Sequence, residues 1–388
     1  MEGGVWGLVI ILSAFMIQFI AFGISGSIGV YNVEFLDDFE TDALEVSLIS
    51  SINLGVFLGT GPLASYLMDR FSHRKVVIFG GLMCSMGILA IPWLPSINYL
   101  YFVYGVVNGL GGCLAYVPSH VLSGLYYDKK RGLATGIATA GSGLGITVGP
   151  IVIAYLIEEY TWRGSLIILT GVSLNIMVFG ALLRPVPMKA KTKIISKSEV
   201  PSISSNLETV VPLPNTDDRK MPYLKKLVKY ILTDIDFLVY FVNNIFWNMG
   251  LGIILALLAE FCVEKGISKI DSAFIVTLNG LGSFVGCLTG GVLSNIKRLN
   301  SYYTFALVNV LAGVSLLLMP IFSGIHLYIT LSILCGFFIG IILGYLLALL
   351  ADILGPELFG DGVGVIMIAN GLGAFLGPSI AGKKFYFF

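Results

Sequence analysis

The sequence predicts an all-α polytopic membrane protein of two six-helix bundles, with the last helix missing. Three observations predict it. Of 388 residues, 56% are hydrophobic and only 12% charged, with a mean hydropathy of +0.90. Soluble domains carry about 25% charged residues, so this chain must be solvated largely by lipid. Eleven apolar runs reach the roughly 20 residues that a helix needs to cross the hydrocarbon core. The chain also repeats: Gly143-Leu144-Gly145-x-x-x-Gly149-Pro150 returns as Gly371-Leu372-Gly373-x-x-x-Gly377-Pro378, and 371 − 143 is 228. The charged turn Asp69-Arg70 has its counterpart at Lys297-Arg298 at the same offset.

The runs lie near 5–30, 46–68, 76–95, 98–125, 133–157, 164–183, 237–259, 272–295, 302–322, 326–350 and 362–384. Helices are the form expected, because lipid offers no partner to an open backbone. The first run is too long for a cleaved leader and follows no basic segment, so it is expected to be retained. Basic loops follow the even-numbered runs: Asp69, Arg70, His73, Arg74 and Lys75; Asp128, Lys129, Lys130 and Arg131; Lys297 and Arg298. The loop between runs one and two carries Glu34, Asp37, Asp38, Glu40, Asp42 and Glu45. Lys and Arg favour the cytoplasmic side, so the N-terminus is expected there. The acidic stretch after run ten (Asp352, Glu357, Asp361) falls on the same predicted side and weighs little in that rule.

The repeat divides the chain into 1–184, a bundle of six spans, and 236–388, a bundle of five. Between them, 185–235 is polar and proline-bearing and reads as a cytoplasmic linker. Leu224, Leu227, Val228 and Ile231 share one helical face near its end, which suits either a helix on the membrane surface or a plain lead-in to run seven. A parallel duplication calls for a twelfth span. The sequence stops at Phe388, which suggests a truncated reading of a longer gene.

Four motifs carry a resemblance. Tyr126, Tyr127, Lys129, Lys130, Arg131, Leu133, Ala134, Gly136, Ala138, Ala140, Gly141 and Ser142 form an aromatic pair, a basic triplet and a small-residue helix. Glu2-Gly3-Gly4-Val5-Trp6-Gly7 opens the chain, Thr161-Trp162-Arg163-Gly164 precedes run six, and Asp69-Arg70-Phe71 with Arg74-Lys75 follows run two. Together they resemble the monocarboxylate transporter-like family of the major facilitator superfamily. The resemblance implies a major facilitator fold and alternating access of a small organic solute, a monocarboxylate among the candidates, alone or with a proton. It also implies plasma-membrane residence and raises a single-span accessory protein as a partner beside the lipid bilayer. By the same resemblance Asp69, Arg70, Arg74, Lys130 and Arg131 serve gating and topology. Proton-coupled members place a Lys in the first span and an Asp–Arg pair in the eighth. Those positions fall here near Gly26, Ser283 and Cys287, so the fold carries over while proton-coupled lactate transport does not follow.

Mid-span ionisable groups usually mark function, and by these limits no Asp, Glu, Lys or Arg sits near a span centre. That argues against a strongly ion-driven pump. His120, beside Pro118, either carries a proton or binds an anion, or is held between helices. Asn53, Asn244, Asn248 and Asn279 need partners in hydrocarbon, either another helix or a substrate. Tyr31 and Tyr116 offer hydroxyls to a substrate or pack at an interface. Gly136, Gly141, Gly145, Gly149, Gly373 and Gly377 allow close helix packing.

Cys84, Cys113, Cys262, Cys287 and Cys335 have no metal-ligand spacing, and no cofactor loop or hydrolytic residue set is present, so neither an enzyme nor a metal site is expected. Zero net charge gives no case for nucleic acid. Two other readings stay open: an uncoupled carrier of a neutral or aromatic metabolite, and a non-transporting membrane receptor or scaffold.

Overall fold

The computed structural model describes residues 4–41, 43–127, 130–185, 234–296, 298–322 and 324–385. Glu2, Asp128, Lys129, Lys297 and the segment with Leu224 to Ile231 lie outside them. Among the described residues every regular element is helical. The first half runs α1 (Gly4–Ser25), α2 (Asn32–Phe39), α3 (Ala43–Gly59), α4 (Gly61–Arg70), α5 (His73–Ala90), α6 (Ile97–Leu100), a π-helical stretch (Tyr101–Asn108), α7 (Gly109–Leu125) and α8 (Arg131–Leu182). The second half runs α9 (Ile235–Glu264), α10 (Lys269–Leu293), α11 (Ser301–Leu318) and α12 (Ile325–Phe385).

Polar residues start the helices of the second half. Asp234, Ser268 and Asn300 accept hydrogen bonds from otherwise orphaned N–H groups at the heads of α9, α10 and α11. In the first half Pro62 stands at the head of α4, where a missing N–H costs nothing. The axis turns by 41° between Leu48–Gly59 and Gly61–Arg70.

Nine described helical segments are long and apolar enough to cross a bilayer, and the bent α3–α4 pair makes a tenth. One of the nine, Arg131–Leu182, has 52 residues where about 20 suffice. It breaks at Thr161, whose φ of 63° and ψ of 167° end one leg and start another. Counted as two legs, it brings the passes to the eleven that the hydropathy predicts.

Two expectations are corrected. The stretch after run ten is shorter than expected: the tenth span ends at Gly355 (φ 71°, ψ 175°) and the last begins at Leu358. Asp361, assigned to that loop, is buried inside the last span, Leu358–Gly377. Glycine takes that turn without the Cβ strain that Thr161 bears at the other break. The acidic segment after run one likewise holds α2, closed by Glu40 in the left-handed conformation.

The halves are joined over only part of their length. One hydrophobic core takes Phe57, Tyr116, Val117 and Val121 from the first half and Tyr240, Tyr345, Phe359 and Met367 from the second. Two other cores are each confined to one half. Tyr31, Phe35, Ile49, Tyr104, Trp162 and Leu166 belong to the first, and Ile254, Leu258, Cys262, Ile275, Met319 and Tyr328 to the second. The molecule is therefore packed across its waist and its basic end by a core that both halves share.

Candidate functional site

The repeat is visible in how helices meet. A Cβ placed on Gly145 would fall on the Phe19 carbonyl of α1, and one on Gly149 on the Gly23 carbonyl. In the second half Gly373 meets the Ile245 carbonyl of α9 in the same way, and Gly377 that of Met249. Gly141 meets the Phe15 carbonyl. These glycines let backbones approach as small residues do in membrane helix pairs. Gly136 works between the halves: its Cβ would lie 2.6 Å from the Gly291 Cα and 2.9 Å from the Cys287 carbonyl of α10.

At the waist, Tyr116 of α7 packs edge-on against Phe22 of α1, with centroids 5.3 Å apart, and lies beside Phe57. Its hydroxyl is 3.0 Å from His120 Nδ1, and His120 Nε2 is 3.0 Å from Thr139 Oγ1 of α8. Thr139 spends its only proton on the Thr135 carbonyl at 2.8 Å. Its oxygen must therefore accept from Nε2–H, which leaves Nδ1 to accept from Tyr116. A neutral ring satisfies this arrangement completely.

In the second half, Asn248 Nδ2 donates to the Asn244 carbonyl at 2.9 Å and to Asn370 Oδ1 of α12 at 2.7 Å. Asn244 Nδ2 donates to the Tyr240 carbonyl at 2.8 Å, while its Oδ1 is buried with no partner among the described residues. The Tyr240 hydroxyl donates to the Leu346 carbonyl at 2.8 Å.

The other candidates lie apart from these two groups. Asn53 Nδ2 joins α3 to the π-helical stretch before α7 through Asn108 Oδ1 (3.1 Å) and the Tyr104 carbonyl (2.8 Å). Asn279 Nδ2 reaches the Ser332 carbonyl at 2.9 Å, joining α10 to α12. Tyr31 belongs to the core confined to the first half, with its hydroxyl 2.5 Å from Ser165 Oγ. Beside it Trp162 packs edge-on against Phe35, and Arg163 lies over Trp162 and pairs with Asp38 at 2.7 Å. Of the resemblance positions, Ser283 and Cys287 present their backbones to glycines of α12, and a Cβ on Gly26 would lie 3.2 Å from the Ile146 side chain.

At the basic end, Arg131 Nε donates to the Gly124 carbonyl at 3.2 Å, and its guanidinium lies 5.7 Å from the Phe359 ring centroid across the halves. Ser65 Oγ donates to the Gly360 carbonyl at 2.9 Å, a second link across. Asp69, Arg70, Arg74 and Lys130 are exposed, with Arg70 over Tyr66.

Gln18 is a further buried polar residue, outside those that the sequence singled out. It is the chain's one glutamine, it is fully buried, and neither amide atom has a hydrogen-bond partner among the described residues. A lone glutamine at the centre of an apolar run was the available signal. Among the described residues no group of three or more His, Cys, Asp or Glu could hold a metal ion.

Eleven membrane-length legs among the described residues, a duplicated packing plan and a polar waist between two bundles define a polytopic membrane carrier. Residues 13–378 match the Major Facilitator Superfamily, and the chain belongs to that family. Monocarboxylate transporter 1 of Bos taurus is 32% identical over 98% of this chain and 79% of its own length. Monocarboxylate transporter 12 of Xenopus laevis is 29% identical over 98% and 83%. Among solved structures, the E. coli fucose:proton symporter FucP aligns with a TM-score of 0.66 and 16% identity over 99% of this chain and 92% of that one. The chain is a multi-pass membrane transporter for a small solute and not an enzyme.

Proposed function

We propose that this transporter carries a monocarboxylate-sized organic solute across the plasma membrane by alternating access, without obligatory proton coupling. The observation that carries the reading is the asymmetric closure. One core, the Gly136–Gly291 approach and the Arg131–Phe359 contact tie the halves at the basic end, while a core of the second half alone, with Cys262, Ile275 and Tyr328, stands at the opposite end. Positive loops favour the cytoplasm, so the closed end faces inward, the N-terminus is cytoplasmic and the solute enters from outside. Residues 1–184 and 236–388 then rock as two bundles about the 185–235 linker, which is cytoplasmic.

The solute size is inferred from the names of the relatives. Tyr116, His120, Asn244 and Asn248 stand at the waist where such a solute would rest. The complete neutral bonding of His120 favours uncoupled movement. Tyr31, Asn53 and Asn279 are proposed as supports of the bundles rather than solute contacts. A single-span accessory protein is a candidate partner on the strength of the resemblance alone.

Uptake of labelled lactate, pyruvate and larger carboxylates into proteoliposomes, with and without an inward proton gradient, tests this. Saturable uptake indifferent to the gradient is expected. Uptake that rises about tenfold with the gradient would overturn the uncoupled reading, and no saturable uptake of any of them would overturn the solute class.

A further inference from the structure

Gln18 and Asn244 occupy the same place in the two halves. The glycine contacts on α1 and α9 set the correspondence: 245 − 19 and 249 − 23 both give 226. Gln18 carried forward by 226 is Asn244. Each stands midway along its span, Gly4–Tyr31 for Gln18 and Ile235–Ile254 for Asn244. Each is one turn from the core that both halves share, Gln18 from Ala21 and Phe22, and Asn244 from Tyr240 and Trp247. Each is at most 1% exposed.

Both also hold polar atoms without partners. Gln18 leaves Oε1 and Nε2 unpaired, and exchanging the two ends of its amide changes nothing. Asn244 leaves Oδ1 unpaired. Its orientation is fixed, because the Tyr240 carbonyl beneath it can only accept. A buried polar atom without a partner is costly, so two such amides at equivalent mid-membrane positions call for a ligand that completes them.

The unpaired set is two acceptor oxygens and one NH2 group with its two N–H donors. A carboxylate offers only lone pairs and would set them against Oε1 and Oδ1. A primary carboxamide offers two N–H donors and one carbonyl acceptor, the complement of that set. Resting on the carrier reading above, we propose that Gln18 and Asn244 are paired substrate contacts, and that they recognise a neutral carboxamide-like group rather than an ionised carboxylate.

L-Lactamide and L-lactate test this, since they differ only in that group. Their uptake into proteoliposomes, corrected for protein-free vesicles, is compared for the full chain and for Gln18→Leu, together with the thermal midpoint of each protein in detergent with and without L-lactamide. We expect the wild type to prefer lactamide by about tenfold or more. Gln18→Leu should abolish that preference and keep or raise the midpoint, because leucine buries no unpaired atom.

An unchanged lactamide-to-lactate ratio in Gln18→Leu overturns the proposal. Equal loss of both solutes with a lower midpoint also overturns it, making Gln18 a packing residue. Saturable lactate uptake without lactamide uptake overturns it and leaves the carrier reading standing. If neither solute is carried, the carrier reading for this size class falls. The lactamide-induced midpoint shift then decides the site: its presence in wild type and loss in Gln18→Leu supports the proposal, and its absence overturns it.

Discussion

Replacing Gly136 by alanine should loosen the basic end of the transporter. The added Cβ would stand 2.6 Å from the Gly291 Cα and 2.9 Å from the Cys287 carbonyl, both backbone atoms of the opposite bundle. Carbon atoms rest at about 3.5–4.0 Å, so the helices must part by about 1 Å. Overpacking of this kind costs about 1–3 kcal/mol. The strain exists only while the halves are closed, so it shifts the closed-to-open ratio about 5- to 150-fold toward open.

Closure can be read by a short bifunctional thiol reagent acting on Ser65→Cys with Gly360→Cys, whose parent residues share a 2.9 Å hydrogen bond across the halves. The native cysteines are all buried, which limits background. Cross-linking should slow by at least about fivefold in Gly136→Ala. Gly171→Ala, where an added Cβ meets nothing within 4 Å, should leave it unchanged. Equal cross-linking rates in Gly136→Ala and wild type would refute the argument that this contact holds the end shut.

The two chain reversals should respond in opposite directions. Thr161 holds a positive φ that suits glycine, at a cost of about 1–3 kcal/mol, so Thr161→Gly should raise the thermal midpoint. Gly355→Ala should lower the midpoint for the same reason. Asn248→Leu removes the amide bond to Asn370, and polar pairs between membrane helices are worth about 0.6 kcal/mol on average. A double-mutant cycle with Asn370→Leu should give a coupling of that order, and additivity within error would show that the pair does not bind α9 to α12.

The passes, the basic loops and the duplicated glycine motif were legible because each is local: a window of some twenty side chains decides whether lipid accepts it. The expected loop around Asp361 failed for the converse reason. The sequence placed it between two spans, yet packing between the halves buries Asp361 within the last one, Leu358–Gly377. Among the site residues, asparagines were legible as a class. Which of them pair, as Asn248 does with Asn370 and Asn53 with Asn108, depends on helices far apart in the chain. Gln18 escaped notice because its importance lies in what it fails to touch.

The sequence by itself determined that this chain is solvated by lipid, crosses it in a set order and carries a duplicated unit. Hydropathy and small-residue spacing suffice for that, being properties of single helices. Only the tertiary structure decided that the bundles meet across the basic end. It alone offset the first helices of the repeat by 226 where the glycine motifs are offset by 228, aligning Gln18 with Asn244. The register of one helix against another is set by which backbones can touch, and no single helix contains that information.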